Sequence, residues 1–346
     1  MEEIIVGVSG INAVDNPGPG VGVARSLKEK NHDLNIKVVG LAYDAMEPGI
    51  YLDWLMDKSY IMPYPSGKHE MFIDRLLYIK QNYGLDFVFP NLDAELPLYI
   101  KYADELNANG IKTFLPDNKQ FRLRGKDKLP EVAKAIDTKI PKTKIITSYE
   151  DLIKAIEEIG LPIMVKGAFY KAYRAYTTQE AVANYHHIIA EWGYPVIAQQ
   201  VVTGEEMNVV GVGDGEGGLL GAVGIKKIWI TSLGKIWTGV TIKNDNMLDA
   251  VAKFVKEYKW KGPFEFECIV DGNDIYLIEI NPRFPAWSYF ATGLGINMPA
   301  NILKKAFDLP VNPANDYEAG KLFIRYTYEI ITDMAVFQNI VTRGEN

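Results

Sequence analysis

Two rhythms of apolar and polar residues run along this chain. Residues 3–8 (EIIVGV), 36–42 and 87–90 are near-continuous apolar runs of strand length. Helical spacing appears at 21–30, 70–83 and 96–109, and a short strand is expected at 112–115. Apolar strands alternating with helices predict a small doubly wound parallel sheet. Such sheets bind ligands beyond the carboxyl ends of their strands. That singles out the turn from Ser9 to Asn12 and the NLDAE segment (91–95) as substrate contacts, although Asp93 and Glu95 suit helix capping equally well. The turn SGINAVDNPGPG lacks GxGxxG spacing, and Pro17 and Pro19 spoil its tight bend, which argues against a dinucleotide site.

Further on, a strand at 141–146 and an amphipathic helix at 149–159 precede IMV, a strand that ends in Lys166. A lysine closing an apolar strand is unusual. A helix at 179–192 leads to the strand VIAQQVV, 196–202. MNVVGVG and LLGAVGIKKIWIT are strands flanking the turn GDGEGG, and KKIWITSLGKIWTG folds back as a hairpin. A helix at 249–258 is expected to pack behind GPFEFECIVDGNDIYLIEINPRFP, residues 262–285. This last segment reads as two strands around the turn 271–274. Its first strand puts Glu265 and Glu267 on one face and Phe264 and Phe266 on the other. Its second is apolar until it delivers Glu279, then Asn281 and Arg283. After it come PAWSYFATGLGINMP, whose Trp287, Tyr289 and Phe290 are expected to wall an acceptor pocket, a helix at 299–307, a strand LFIRYTYEI and an unassigned tail.

Carboxylates, an amide oxygen and a guanidinium thus meet at one end of a hairpin. Oxygen ligands of this kind suit Mg²⁺, which keeps some waters and takes further oxygens from phosphates. Arg283 lies within reach of the same phosphates. Glu265 and Glu267 share a face, so spacing alone does not choose between them, and both also suit a solvated sheet face. Glu279, ending an apolar run, is a poor surface residue.

The chain has 346 residues, enough for two or three lobes. A net charge of −7 argues against general nucleic-acid or membrane-surface binding. Its one cysteine, Cys268, excludes an internal disulfide, and with no signal peptide the expected compartment is the cytoplasm. No apolar run reaches the roughly 18–20 residues of a membrane span. The four histidines form no zinc pattern.

With these motifs in order, the chain resembles the ATP-grasp ligases, in the branch of biotin carboxylase and the carbamoyl phosphate synthetase large subunit. The resemblance covers about residues 120–305. It implies an α/β chain: an N-terminal Rossmann-like pre-ATP-grasp domain (1–118), then a two-lobed α+β ATP-grasp module (119–310, small lobe about 140–200, large lobe about 201–310) and a C-terminal extension (311–346). Glu267, Glu279 and Asn281 are then ligands of Mg²⁺ or Mn²⁺, with Glu265 the alternate for Glu267. Arg283 contacts phosphate or acyl phosphate, and Lys227 is a phosphate or acceptor contact. Lys128, from the GKDK stretch, falls on the α-phosphate of ATP, and Lys166 is the second nucleotide lysine. Gln199, Gln200 and Val202 line the adenine slot, and Glu206 holds the ribose. The loop after Gly167 (Ala-Phe-Tyr-Lys-Ala-Tyr-Arg) lacks the usual glycines but keeps Lys171 and Arg174. The implied activity is ADP-forming ligation of a carboxylate to an amine or thiol, on a small molecule or peptide. Bicarbonate activation and a catalytically silent ATP-binding regulator are the alternatives, and a homodimer is a further expectation.

Overall fold

The structure is a computed structural model that describes residues 2–167, 171–232, 234–313 and 316–346. It begins with β1 (Ile4–Ser9), α1 (Pro19–Lys28), β2 (Ile36–Ala42), β3 (Lys58–Ile61), α2 (His69–Tyr83), β4 (Phe87–Phe89), α3 (Leu96–Lys101) and α4 (Ala103–Ala108). The strands are parallel, in the order β3-β2-β1-β4. Val6, Val8, Val38, Val39, Phe87 and Val88 are wholly buried, as strands covered on both faces require. A Cβ on Gly20 would lie 1.9 Å from the Ser9 carbonyl oxygen, so glycine lets α1 start against the end of β1. The expected strand at 112–115 is a single bridge from Lys112 to Phe87, cut short before Pro116. The expected helix at 96–109 breaks at Tyr102, whose φ of −103° and ψ of 14° leave helical space.

α5 (Asn118–Arg122) and α6 (Leu129–Ala135) lead to an antiparallel sheet ordered β5-β8-β6-β7. It is built from β5 (Thr143–Ile146), β6 (Ile163–Gly167), β7 (Ala172–Ala175) and β8 (Val196–Gln200). α7 (Tyr149–Ile159) and α8 (Thr178–Trp192) cover it around Leu152, Val165, Tyr185 and Ile188. Ser148 and Thr177 cap the two helices by accepting from Asp151 N and Glu180 N.

The remaining elements are β9 (Glu205–Asp214), β10 (Leu219–Ile230), β11 (Ile236–Thr241), α9 (Asp245–Tyr258), β12 (Lys261–Asp271), β13 (Asp274–Asn281), α10 (Tyr289–Gly293), α11 (Met298–Ala306), β14 (Leu322–Ile324) and α12 (Met334–Arg343). Their sheet runs β13-β12-β9-β10-β11-β14. Phe264 and Phe266 turn to α9, their rings 5.6 and 6.4 Å from that of Phe254. Gly272, at φ +60°, makes the tight turn between β12 and β13. The expected strand LFIRYTYEI shrinks to β14, and the tail holds α12. Beyond α12, the Gly344 carbonyl and Asn346 Oδ1 accept from Ile61 N and Ser59 N, fastening the tail to β3.

One core joins the parallel sheet to this large sheet, through Val8, Phe89, Val210, Phe284 and Trp287. The carboxyl end of β4 therefore abuts the end of the β12–β13 hairpin.

Beside that junction Glu47 is buried at 7% exposure. Its Oε1 accepts from Tyr43 N at 2.8 Å, and its Oε2 is buried without a partner among the described residues. Burial pushes its pKa up to about 7. The folded protein thus holds this proton where an unfolded chain has released it, so stability is lost as pH rises from the ordinary carboxylate range to about 7. Relative to wild type, Glu47→Gln is expected to be better off at pH 7.5 than at pH 4 by about 2 kcal/mol. Urea unfolding at the two pH values measures the difference, and equal offsets at both would contradict it.

Candidate active site

The β12–β13 register sets Glu267 opposite Glu279 and Glu265 opposite Asn281, and β9 sets Asn208 beside Glu267. Carboxylates directly opposite one another repel. Lys227, from β10, answers part of that charge. Its Nζ lies 3.0 Å from Glu267 and 3.6 Å from Glu206, with the side chain only 9% exposed. Burial opposes the Lys227 charge, but Glu267, Glu206 and Glu265 outweigh it and lift its pKa above the usual range. Burial likewise acts to raise Glu267, yet Lys227 prevails and holds it ionised. Burial and the Glu267 charge raise Glu279, and the same pair pushes Glu265 up to about 7.

Glu265 and Glu267, which spacing left open, have different surroundings. Glu265 accepts from Trp287 Nε1 at 2.8 Å, Asn208 Nδ2 at 2.9 Å and Asn281 Nδ2 at 3.3 Å. Its oxygens are occupied by protein donors. Asn281 Nδ2 also donates to Glu267 Oε1 at 3.0 Å, which leaves Asn281 Oδ1 without a hydrogen-bond partner among the described residues. Asn208 Oδ1 is buried and unpartnered too. Among the described residues no three His, Cys, Asp or Glu side chains form a metal cluster by themselves. Two facing carboxylates with vacant amide oxygens fit Mg²⁺, which fills its octahedron with water and phosphate oxygens.

The cationic side has one surprise. Lys166 projects from β6, and its Nζ donates to Gln199 Oε1 at 2.6 Å. Burial holds its pKa down, as does the charge of Lys126, while Glu279 and Glu206 draw it up. Burial also lowers Lys126, and Glu279 draws it up. Lys126, although exposed, therefore lies within electrostatic range of Lys166 and Glu279. Lys128 instead reaches Glu131 at 3.4 Å with its side chain 46% exposed. Gln199 Nε2 donates to Thr143 Oγ1 at 3.0 Å, so Gln199 links β5, β6 and β8. Gln200 N donates to Lys142 O at 2.8 Å, so that amide is engaged in the sheet and not offered to a ligand. Val202 lies just past the end of β8, and Glu206 lies near the start of β9 beside Lys227. Of the glycine-poor loop, Ala168 to Tyr170 lie outside the described residues, and Arg174 is exposed on β7.

Arg283 donates from Nε to Asp93 Oδ2 at 3.0 Å, and its Nη1 lies 3.8 Å from Glu265 Oε2. Asp93 does not cap α3, and neither does Glu95. Glu95 is wholly buried and accepts from Ser9 Oγ, Tyr43 Oη, Asn91 N and Leu92 N. The expected acceptor wall also differs. Trp287 and Phe290 are buried in the core, and Tyr289 stacks beneath Arg25 at 3.7 Å. Sequence reading missed Lys126, Asn208 and the Asp93–Arg283 pair. Asp93 carried a signal in its place after a parallel strand, and Lys126 lies in the GKDK stretch.

No family model matches the chain. It is 25% identical over 198 residues to the carbamoyl phosphate synthase large chain of Clostridium acetobutylicum, an alignment covering 53% of this chain and 18% of that protein. The chain thus spans less than a fifth of this curated relative. The biotin carboxylase domain of Hydrogenobacter thermophilus 2-oxoglutarate carboxylase, solved as a dimer with MgADP, ADP and bicarbonate, superposes with a TM-score of 0.68 at 18% identity, over 92% of this chain and 73% of that one. The N5-carboxyaminoimidazole ribonucleotide synthetase of Thermus thermophilus gives 0.64 at 14% identity, over 91% and 81%. The chain has the fold of these biotin carboxylase and N5-carboxyaminoimidazole ribonucleotide synthetase structures. No described helix is long and apolar enough to cross a membrane.

Proposed function

We propose that this protein is an ATP-dependent, ADP-forming ligase that activates a carboxylate as an acyl phosphate and passes the acyl group to an amine or thiol. The observation that carries this is the facing pair Glu267 and Glu279, with Asn281 beside them and Lys227, Lys166 and Arg283 around them. A carboxylate is a poor electrophile because its leaving group would be oxide. Phosphoryl transfer from ATP turns that oxygen into phosphate, which leaves readily. The step needs charge neutralisation and alignment more than covalent help. Glu267, Glu279 and Asn281 would hold Mg²⁺ or Mn²⁺, which supplies charge to the transferring phosphate. Lys166 and Lys126 would steady the nucleotide phosphates, with Gln199, Val202 and Glu206 toward the nucleoside. Arg283 would face the acid or its acyl phosphate. The boundaries 1–118, 119–310 and 311–346 and a cytoplasmic location belong to the same proposal.

A coupled ADP-release screen over acids and amines tests it. Acceptor-dependent ADP formation from MgATP is expected. ATP binding with no ADP formed across the panel would favour a silent nucleotide-binding regulator instead. A second reading, bicarbonate activation, is favoured by the likeness to a biotin carboxylase domain solved with MgADP and bicarbonate. Bicarbonate-dependent ADP release without any organic acid would select it. That relative is a dimer, and we carry a homodimer here, to be checked by light scattering.

A further inference from the structure

Arg283 lies just past the end of β13, yet its nearest carboxylate comes from the other end of the chain. Asp93, in the loop after β4, accepts from Arg283 Nε at 3.0 Å through Oδ2 and from Arg124 Nη1 at 2.7 Å through Oδ1. The loop has little freedom. Glu95 is anchored by Ser9, Tyr43 and two main-chain amides, and Asn91 Nδ2 donates to the carbonyls of Ser9 and Phe89. Asp93 is therefore held by the frame of the parallel sheet. A guanidinium is a flat fork of five N–H donors. Asp93 takes Nε, the Phe284 carbonyl accepts from Nη1 at 3.3 Å, and Glu265 lies 3.8 Å from Nη1. Nη2 is left with no protein partner among the described residues.

We propose that Asp93 is the positioning residue for Arg283: the parallel-sheet lobe grips one edge of the guanidinium so that the Nη2 edge is presented, already oriented, to the anionic group undergoing reaction. This rests on the assignment of Arg283 to the acid or acyl phosphate. Orientation of this kind matters to the rate more than to nucleotide affinity, since a small misplacement of a charged donor weakens the transition state first. Arg124 shares Asp93 but leads away to Phe121, over whose ring it lies at 5.2 Å. It separates a positioning role from a mere staple between lobes.

The test is steady-state ADP release from MgATP alone, and with bicarbonate, for wild type and five variants. Asp93→Asn is expected to lower kcat by about tenfold or more while the KM for ATP stays within about threefold. Arg124→Met, which leaves the Arg283 pair intact, should stay within about threefold of wild type in kcat. Asp93→Glu keeps the charge but moves it, and should remain at least about fivefold slow; should Asp93→Asn fold poorly, this variant carries the test. Asp93→Asn combined with Arg283→Met should be no slower than Arg283→Met alone, because Asp93 acts through Arg283. Wild-type kcat in Asp93→Asn, full rescue by Glu, equal damage from Arg124→Met, or additive losses in the double variant would each overturn the inference. If Arg283→Met itself turns over normally, or wild type releases no ADP, the active-site assignment fails and takes the inference with it. If Arg283→Met is slow and Asp93→Asn is not, only the inference fails.

Discussion

Glu279→Gln is expected to reduce ADP release from MgATP by at least about a hundredfold. The reason lies in the register. Glu279 faces Glu267 across β12 and β13, and Lys227 lies against Glu267 at 3.0 Å. Lys126 and Arg283 draw Glu279 toward its charged form without offsetting its burial. A protein gains no stability from such a pair alone, and a bound cation would offset its repulsion. Gln keeps the shape and an oxygen but removes the charge that would hold Mg²⁺ against the phosphates. The fold should not suffer, since one of two opposed carboxylates is gone. A thermal melt equal to or above wild type, with ADP release lost, is the expected combination. Near-wild-type ADP release in that variant would remove Glu279 from any metal role.

Much of this site was legible because hairpins obey simple rules. Alternation put Glu265 and Glu267 on one face, and Gly272 within the expected turn closed the register that brings Glu279 and Asn281 to them. What alternation lacks is a third dimension. Glu265 and Glu267 look identical along the strand, and they differ because Trp287 and Asn208 reach one while Lys227 reaches the other. Those neighbours come from a loop and from two other strands. The parallel sheet was legible for a related reason: strands buried on both faces must be apolar throughout. β3, by contrast, is a short KSYI strand at a sheet edge, and the Asp93–Arg283 pair spans 190 residues, so no local pattern announces either. The division of labour among the lysines was hidden for another reason. Lys126 and Lys128 lie two residues apart in GKDK and both are exposed, but Lys126 comes within electrostatic range of Glu279 and Lys166 while Lys128 pairs with Glu131.

That difference leads to a graded expectation for three methionine substitutions. Lys166→Met should cost about a hundredfold in kcat/KM for MgATP, Lys126→Met about tenfold, and Lys128→Met less than about threefold. Lys166 is part-buried on β6, and among the described residues its hydrogen bond is to the neutral amide oxygen of Gln199, with Glu279, Glu206 and Glu267 acting on its charge from further off. Burial and then the neighbouring Lys126 depress its pKa, and burial depresses Lys126 as well. Two ammoniums that act on one another repel alone and are favourable around an anion. The phosphates of a nucleotide would supply that anion. Lys128 gains nothing comparable, since its Nζ is committed to an exposed pairing with Glu131, worth little in water. Initial rates at varied ATP, with Mg²⁺ in excess, give all three numbers. If Lys128→Met proves the more damaging of the GKDK pair, the nucleotide is gripped as the ATP-grasp resemblance implied, and the nearness of Lys126 to Lys166 and Glu279 is not how the working enzyme meets its phosphates.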